Sequence, residues 1–180
     1  MEAPDRIALI DLPARVRERL GAGAPPRLAA LGNRELLALP RTALLCSARC
    51  PGDPILAAFD EAMRLRESGR CVVSGFHSTV EQGCLEILLR GSQPIIVCPA
   101  RAMESMRVPG PCRAAFDAGR LLYLSPFENT PTRPTKASAH SRNLLVAALA
   151  DDAFIPHAAP GGGTEHIAGL LREWRVPGVQ

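Results

Sequence analysis

The segment from Cys71 to Arg101, CVVSGFHSTVEQGCLEILLRGSQPIIVCPAR, constrains the fold more than any other stretch of the chain. It reads as strand, tight turn, helix, turn, strand: a βαβ unit of about 30 residues, the usual size for that motif. The first strand, Cys71-Val72-Val73-Ser74, stops at Gly75, and the helix after it carries Val80, Cys84, Leu85, Ile87 and Leu88 at helical spacing. Pro94 to Cys98 is a continuous apolar run of the kind a parallel sheet buries on both faces. In open parallel sheets, ligands bind just beyond the carboxyl ends of the strands. That rule predicts a site at Gly75-Phe76-His77-Ser78 and Pro99-Ala100-Arg101.

The rest of the chain repeats the alternation. Thr42 to Cys46 predicts a buried strand ending in Ser47-Ala48-Arg49, followed by a helix with Asp53 as N-cap and Pro54 at its first position. Ile55, Phe59, Ala62 and Met63 form that helix's apolar stripe, and Gly69 stops it. Further on come a short helix within Pro109 to Gly119 and a strand from Leu121 to Leu124 ending at Ser125. A Pro/Thr-rich loop leads to a helix from Ala139 to Ala150, a strand from Ala153 to Pro156, and a final helix from Glu165 to Trp174. Arg27 to Leu31 reads as a short edge strand. Residues 1–24 read as a helical extension whose spacing (Ile7, Ile10, Val16, Leu20) is broken by Pro13. The expectation is an N-terminal segment, 1–24, followed by one α/β domain, 25–180, built as a Rossmann-like three-layer sandwich around a mostly parallel sheet. Right-handed crossovers put the strand ends at Ser47, Ser74, Cys98, Ser125 and His157 on one edge.

Composition narrows the partners. A net charge of +3 over 180 residues does not announce a nucleic-acid binder, yet all 21 cations except Lys136 are arginines. Arginine favours bidentate contact with phosphate or carboxylate, although genomic base composition produces the same bias. Five Phe, one Tyr and one Trp are too few for a platform that stacks successive bases. The six cysteines include no CxxC pair and fall mainly in apolar strands, which predicts reduced core thiols and no metal site. Met1 to Asp5 is acidic, and no apolar run reaches membrane-spanning length, so a cytoplasmic protein with no membrane partner is expected.

Several residues on the predicted edge could carry chemistry. Ser78-Thr79-Val80-Glu81 fits a capping box, and Ser78 and Glu81 either simply start the helix or, with Ser74, Gly75 and His77, shape an anion site at its N-terminus. Gly161-Gly162-Gly163-Thr164 precedes a helix and offers free amides to a phosphate, or is only a turn; it is neither a Walker loop nor GxGxxG. Arg101, Arg133, Lys136 and Arg142 belong to a stretch of seven cations against three acids, and with Arg49 they converge on the edge or are scattered solvated charge. Glu165 is the one well-placed acid, and spacing alone gives no nucleophile–base set. Catalysis is left open with the balance against it, and no cofactor is expected.

The order of motifs resembles a known family. Ala43-Leu44-Leu45-Cys46-Ser47-Ala48-Arg49 is similar to the strand "aIVGSR", Val72-Val73-Ser74-Gly75 to "VVSG-ARGID", and Pro94 to Cys98 to "TIAVL". Leu121 to Phe127 is similar to "G-LLSE-P", Ser141 to Leu149 to "RRNRIISGLS", and Pro26 to Leu37 to "P-LYARGN-ELL". These are motifs of the Rossmann-like domain of the DNA-processing DprA (Smf) family, and the resemblance runs over roughly residues 25–178. It implies single-stranded DNA as ligand in a basic, glycine-rich pocket, homodimerisation, and a recombinase partner. It assigns contacts to Arg49 and to Arg142 with its neighbour Asn143, whereas His77-Ser78 stand where the family has Arg-Gly. Pro160-Gly161-Gly162-Gly163-Thr164-Glu165 is similar to the PGGxGTxxE motif of LOG-type phosphoribohydrolases in the wider SLOG superfamily. That likeness implies a nucleotide ligand, with Glu165 as the acid if it is cleaved. A degenerate, non-catalytic member acting only through interactions is the remaining alternative.

Overall fold

A computed structural model describes residues 6–104 and 106–179 and places a seven-stranded sheet through the middle of the molecule. In chain order the strands are β1 (Ala8–Ile10), β2 (Leu28–Gly32), β3 (Arg41–Leu44), β4 (Cys71–Ser74), β5 (Ile95–Val97), β6 (Leu121–Ser125) and β7 (Asp152–Phe154). Across the sheet they run β1-β2-β6-β5-β4-β3-β7. The five from β6 to β7 are parallel, and β2 and β1 continue the sheet antiparallel beyond β6. The helices are α1 (Ala14–Leu20), α2 (Gly52–Ser68), α3 (Thr79–Leu89), α4 (Gly110–Asp117), α5 (Lys136–Leu149) and α6 (Gly163–Glu173).

The three-layer, Rossmann-like arrangement follows from the apolar runs. Every residue of β3, β4, β5 and β6 is buried, so successive side chains feed two separate cores. Val72, Ile95, Val97 and Leu121 face the layer of α2, α3 and α4. Val73, Ile96, Leu122 and Leu124 face the layer of α1, α5 and α6.

Boundaries differ from expectation where a cap or a proline decides them. The strand expected at the edge, Arg27 to Leu31, lies one place inside it, because Ala8–Ile10 pairs with its outer side. Proline disfavours helix in the residue before it. The helix therefore starts after Pro13, and the preceding residues extend as β1. Asp53 is not the N-cap of α2; Pro51 is, and Asp53 sits in the first turn, where its charge suits the helix dipole. Gly69 does end that helix, in the left-handed conformation at φ 71°. Helix α5 begins three residues before its predicted start because Thr135 and Ser138 form a reciprocal capping box.

The amino-terminal side of the sheet is tied together by Asp151. Its carboxylate accepts from the backbone N–H of Arg41 at 2.8 Å and from the Arg15 guanidinium at 2.7 Å, and lies 3.4 Å from the Arg41 guanidinium. Arg19 adds bonds to the carbonyls of Ala148 and Ala150, fastening α1 to the end of α5. Asp152, its neighbour, turns away to Arg70. Burial works to raise the Asp151 pKa, but the hydrogen bonds and charges of Arg15 and Arg41 outweigh it and hold the carboxyl below the usual aspartate value. A depressed folded-state pKa stabilises the protein above about pH 4, and that contribution is lost as pH falls through the folded value. Asp151→Asn should therefore cost about 1–3 kcal/mol in urea denaturation at pH 7. The gap to the native chain should close as the pH is lowered below 4; a gap that persists there would exclude a role for the ionised carboxylate.

Candidate functional site

The connections decide where a crevice opens. From β3 the chain crosses to α2 on one face of the sheet, whereas from β7 it enters α6 on the other. Adjacent parallel strands whose connections leave in opposite directions part at their carboxyl ends. This happens twice here: between β5, which leads to α4, and β6, which leads to α5 on the opposite face, and, one strand over from the βαβ unit to which the sequence pointed, between residues 45–51 and 155–162. Ser47 forms the floor of the second: its Oγ accepts from the Ala159 N–H at 2.9 Å, and its own N–H donates to the His157 carbonyl at 3.0 Å.

The neighbouring loop is fixed by Glu81. The capping box with Ser78 is present, but Glu81 does more than cap. One carboxylate oxygen accepts from the backbone N–H groups of His77 at 2.8 Å and Ser78 at 3.1 Å. The other accepts from the N–H of Cys46, beyond the end of β3, at 2.9 Å. One buried carboxylate thus sets two loops of the edge relative to each other. Ser74 is spent in the same way: wholly buried, its Oγ accepts from the N–H of Phe76, which holds a positive φ of 46° and packs into the core.

Arg142 enters from α5 and lies against the end of β4. It is only 4% exposed, although the sequence suggested an open cation at the edge. Its Nη1 donates to the Cys98 carbonyl at 3.1 Å, and its Nε donates to Asn143 Oδ1 at 2.7 Å. A Cβ on Gly75 would stand 1.9 Å from Arg142 Nη1, so the guanidinium occupies room that only glycine leaves. Burial pushes the Arg142 pKa below its ordinary value, against the pull of the Glu81 carboxylate and the Cys98 thiol. Arg142 makes no ion pair with a described residue.

The glycine turn is partly closed on itself. Gly161, at φ 70°, donates its N–H to Glu165 Oε2 at 2.8 Å, and Gly162 donates to the Ala159 carbonyl at 2.9 Å. Gly163 begins α6, and Thr164 is buried behind it. Beside the turn, the His140 and His166 rings stand 5.5 Å apart, bringing the N-terminal parts of α5 and α6 together; nothing in the sequence pattern marked that pair.

An outer ring of groups remains open. Arg49, Arg133 and Lys136 are exposed, and none has a hydrogen bond or ion pair with a described residue. The His77 side chain is exposed at the loop tip. Arg101 is half-buried and donates to the Ala102 carbonyl at 3.3 Å. No group of three or more metal-ligating side chains occurs among the described residues. None of their helices is long and apolar enough to cross a membrane. A pocket of about 500 Å³ lies between α1, α5 and α6, lined by Leu20, Phe127, Leu144, Leu170 and Trp174 together with Arg19 and Glu173, but no candidate residue faces it.

No protein-family model matches the chain, and a sequence search of curated proteins gives no match. Solved structures do match its fold. DNA processing protein A from Helicobacter pylori, described as binding single-stranded DNA in a unique mode, superposes with a TM-score of 0.76 at 23% identity, over 96% of this chain and 79% of that one. DNA processing protein A from Streptococcus pneumoniae superposes with a TM-score of 0.76 at 18% identity, over 95% of this chain and 61% of that one. The chain therefore has a DprA-like fold and spans less than two thirds of the second protein.

The Glu81 geometry makes a stability prediction. Glu81→Ala should cost about 3 kcal/mol in chemical denaturation, because it strands buried amides. Glu81→Gln, which can accept through only one oxygen, should lose about half of that. Equal stability of the alanine variant and the native chain would refute the bracing role.

Proposed function

We propose that the chain binds single-stranded DNA through its phosphates, along the carboxyl edge from Arg49 to Lys136, with Arg142 beneath. The observation that carries this reading is Arg142 itself: a cation 4% exposed, bonded only to neutral acceptors, at the end of the parallel strands. The nearest opposing charge, the Glu81 carboxylate, is not bonded to Arg142 and is already spent on three backbone N–H groups, so an incoming phosphate would supply a directly bonded counter-charge to a cation whose burial costs several kcal/mol. Arg49, Arg133 and Lys136 stand exposed on the same edge with no hydrogen bond or ion pair to a described residue, as backbone contacts require. The fold shared with a protein described as binding single-stranded DNA supports the same ligand.

Gly75 and the Ser47, Ser74 and Ser78 hydroxyls serve as scaffold in this reading, Arg101, Asn143 and His77 as flanking groups, and Gly163 as the amide left open at the α6 terminus. The proposal extends to a homodimer and a recombinase partner, as the resemblance implies. A free nucleotide on the glycine turn is the weaker reading, because Glu165 and Ala159 already occupy the N–H groups of Gly161 and Gly162. Glu165, held in that bond, is poorly placed to serve as an acid.

Titration of a labelled single-stranded oligonucleotide across a salt series tests the proposal. Four phosphate contacts at about 0.7 each predict a slope of about −3 in log affinity against log salt. Arg49→Ala should lower affinity without changing stability and make the slope shallower by about 0.7. Arg142→Ala should remove most binding, and Arg142→Lys should restore part of it. Absence of binding at low salt, or unchanged affinity in both alanine variants, would overturn the proposal.

A further inference from the structure

The pocket between α1, α5 and α6 takes no part in the proposed binding of a single strand, and its walls differ in kind from the carboxyl edge. Its floor is α5, through Leu144 and Leu145, and its sides are Leu20 of α1 and Leu170 and Trp174 at the end of α6. Phe127, from the loop after β6, adds a second aromatic ring. Leu20, Leu144, Leu170 and Trp174 pack against the core yet remain only partly buried, so they present uncovered apolar surface to the opening. Small-molecule sites enclose about 300–1,000 Å³ and combine such walls with a few placed polar groups. At about 500 Å³ this pocket has that size.

Its placed polar group is Arg19. The guanidinium carbon stands 5.5 Å from the centre of the Trp174 ring, and Nη1 donates to the carbonyls of Ala148 at 3.1 Å and Ala150 at 2.7 Å. Those bonds fix the group in the wall and leave Nε and Nη2 without a hydrogen bond to a described residue. No described carboxylate pairs with Arg19, because Asp151 is taken by Arg15 at 2.7 Å and Arg41 at 3.4 Å. A held cation with donors to spare thus stands beside an indole and a set of leucines.

We propose that this pocket binds a small aromatic monocarboxylate, its ring body among Leu20, Phe127, Leu144, Leu170 and Trp174 and its carboxylate on Nε and Nη2 of Arg19. A guanidinium offers paired N–H donors that match the two oxygens of a carboxylate. Glu173 also lines the pocket, but it is exposed and hydrated; its charge disfavours a ligand with a second negative group. The site is independent of the single-strand binding proposed above.

Isothermal titration of the full chain with 1-naphthylacetate, its uncharged isostere 1-naphthylacetamide and the cation 1-naphthylmethylamine tests the proposal. The acetate should bind one to one, and the acetamide about tenfold more weakly, since hydrogen bonds between charged groups are about twice as strong as neutral ones. The amine should bind no better than the acetamide. The chain has one tryptophan, so its indole N–H gives a single resonance in a heteronuclear NMR spectrum, and that resonance should shift to saturation with the acetate. Gly23 and Leu144 both line the pocket. A Cβ at Gly23 meets nothing within 4 Å and its φ is not positive, so Gly23→Phe narrows the space without strain. Gly23→Phe and, independently, Leu144→Phe should remove most acetate binding, and Arg19→Met should reduce the acetate to the affinity of the acetamide. No binding of the acetate, a tryptophan resonance that stays in place at saturation, or unchanged affinity in both phenylalanine variants overturns the pocket. Equal affinity for acetate and acetamide, or tighter binding of the amine, overturns the anionic class of the ligand.

Discussion

Three backbone N–H groups from two separate loops converge on the carboxylate of Glu81, and the geometry of the whole carboxyl edge depends on that convergence. Parallel strands leave their last amides pointing into an opening between connections, where an unpaired buried donor costs about 1–3 kcal/mol. One carboxylate 5% exposed satisfies the donors next to β3 and β4 together. Because it reaches across to Cys46, the loop carrying Arg49 cannot shift at its root without disturbing the start of α3. Ser47 continues the chain of bonds to the loop after β7. The edge is therefore a linked frame rather than a set of independent loops.

The frame also makes Arg142 tolerable. A guanidinium buried against Gly75 loses hydration that two neutral acceptors replace only in part. The Glu81 carboxylate, although not bonded to it, is the opposing charge that acts on it most strongly. The brace of the loops and the electrostatic support of the cation are thus the same side chain. Glycine at position 75 and arginine at 142 form a pair for the same reason: one leaves the space that the other fills.

The regular part of this fold was legible in the sequence, and the parts that depend on contacts across the chain were not. Apolar runs such as Cys71 to Ser74 and Leu121 to Leu124 gave the parallel strands, since burial on both faces leaves a mark in every residue. The Ser78–Glu81 spacing gave the capping box because that motif is local, but nothing local shows that the same carboxylate reaches Cys46, 35 residues away. The spacing of Ile7 and Ile10 suggested helix where the chain pairs as β1, since three residues beside a neighbouring strand do not outlast a period of three or four in sequence. Arg142 looked like surface charge because its burial arises only when α5 crosses back over the ends of β4 and β5. The topological switch at β3 and β7 was invisible for a related reason: it depends on which side of β3 the last strand joins, and no residue type encodes that choice.

What the edge can recognise follows from how its polar groups are spent. The Ser47, Ser74 and Ser78 hydroxyls all accept backbone hydrogen bonds, and the N–H groups of Gly161 and Gly162 are engaged within the turn. These five groups are therefore spent largely on the shape of the edge. The groups left over are long cations: Arg49, Arg133 and Lys136 in the open, and Arg142 below. Such groups respond to charge rather than to sequence, and their attraction is weakened by salt. The proposed ligand matches such an edge because a strand of nucleic acid brings several negative charges in a row. The same logic assigns weight to position 77, where an exposed imidazole stands and cannot make the two-pronged contact of a guanidinium. In the proposed reading, affinity would come from the number of cations the edge presents rather than from any one directional contact.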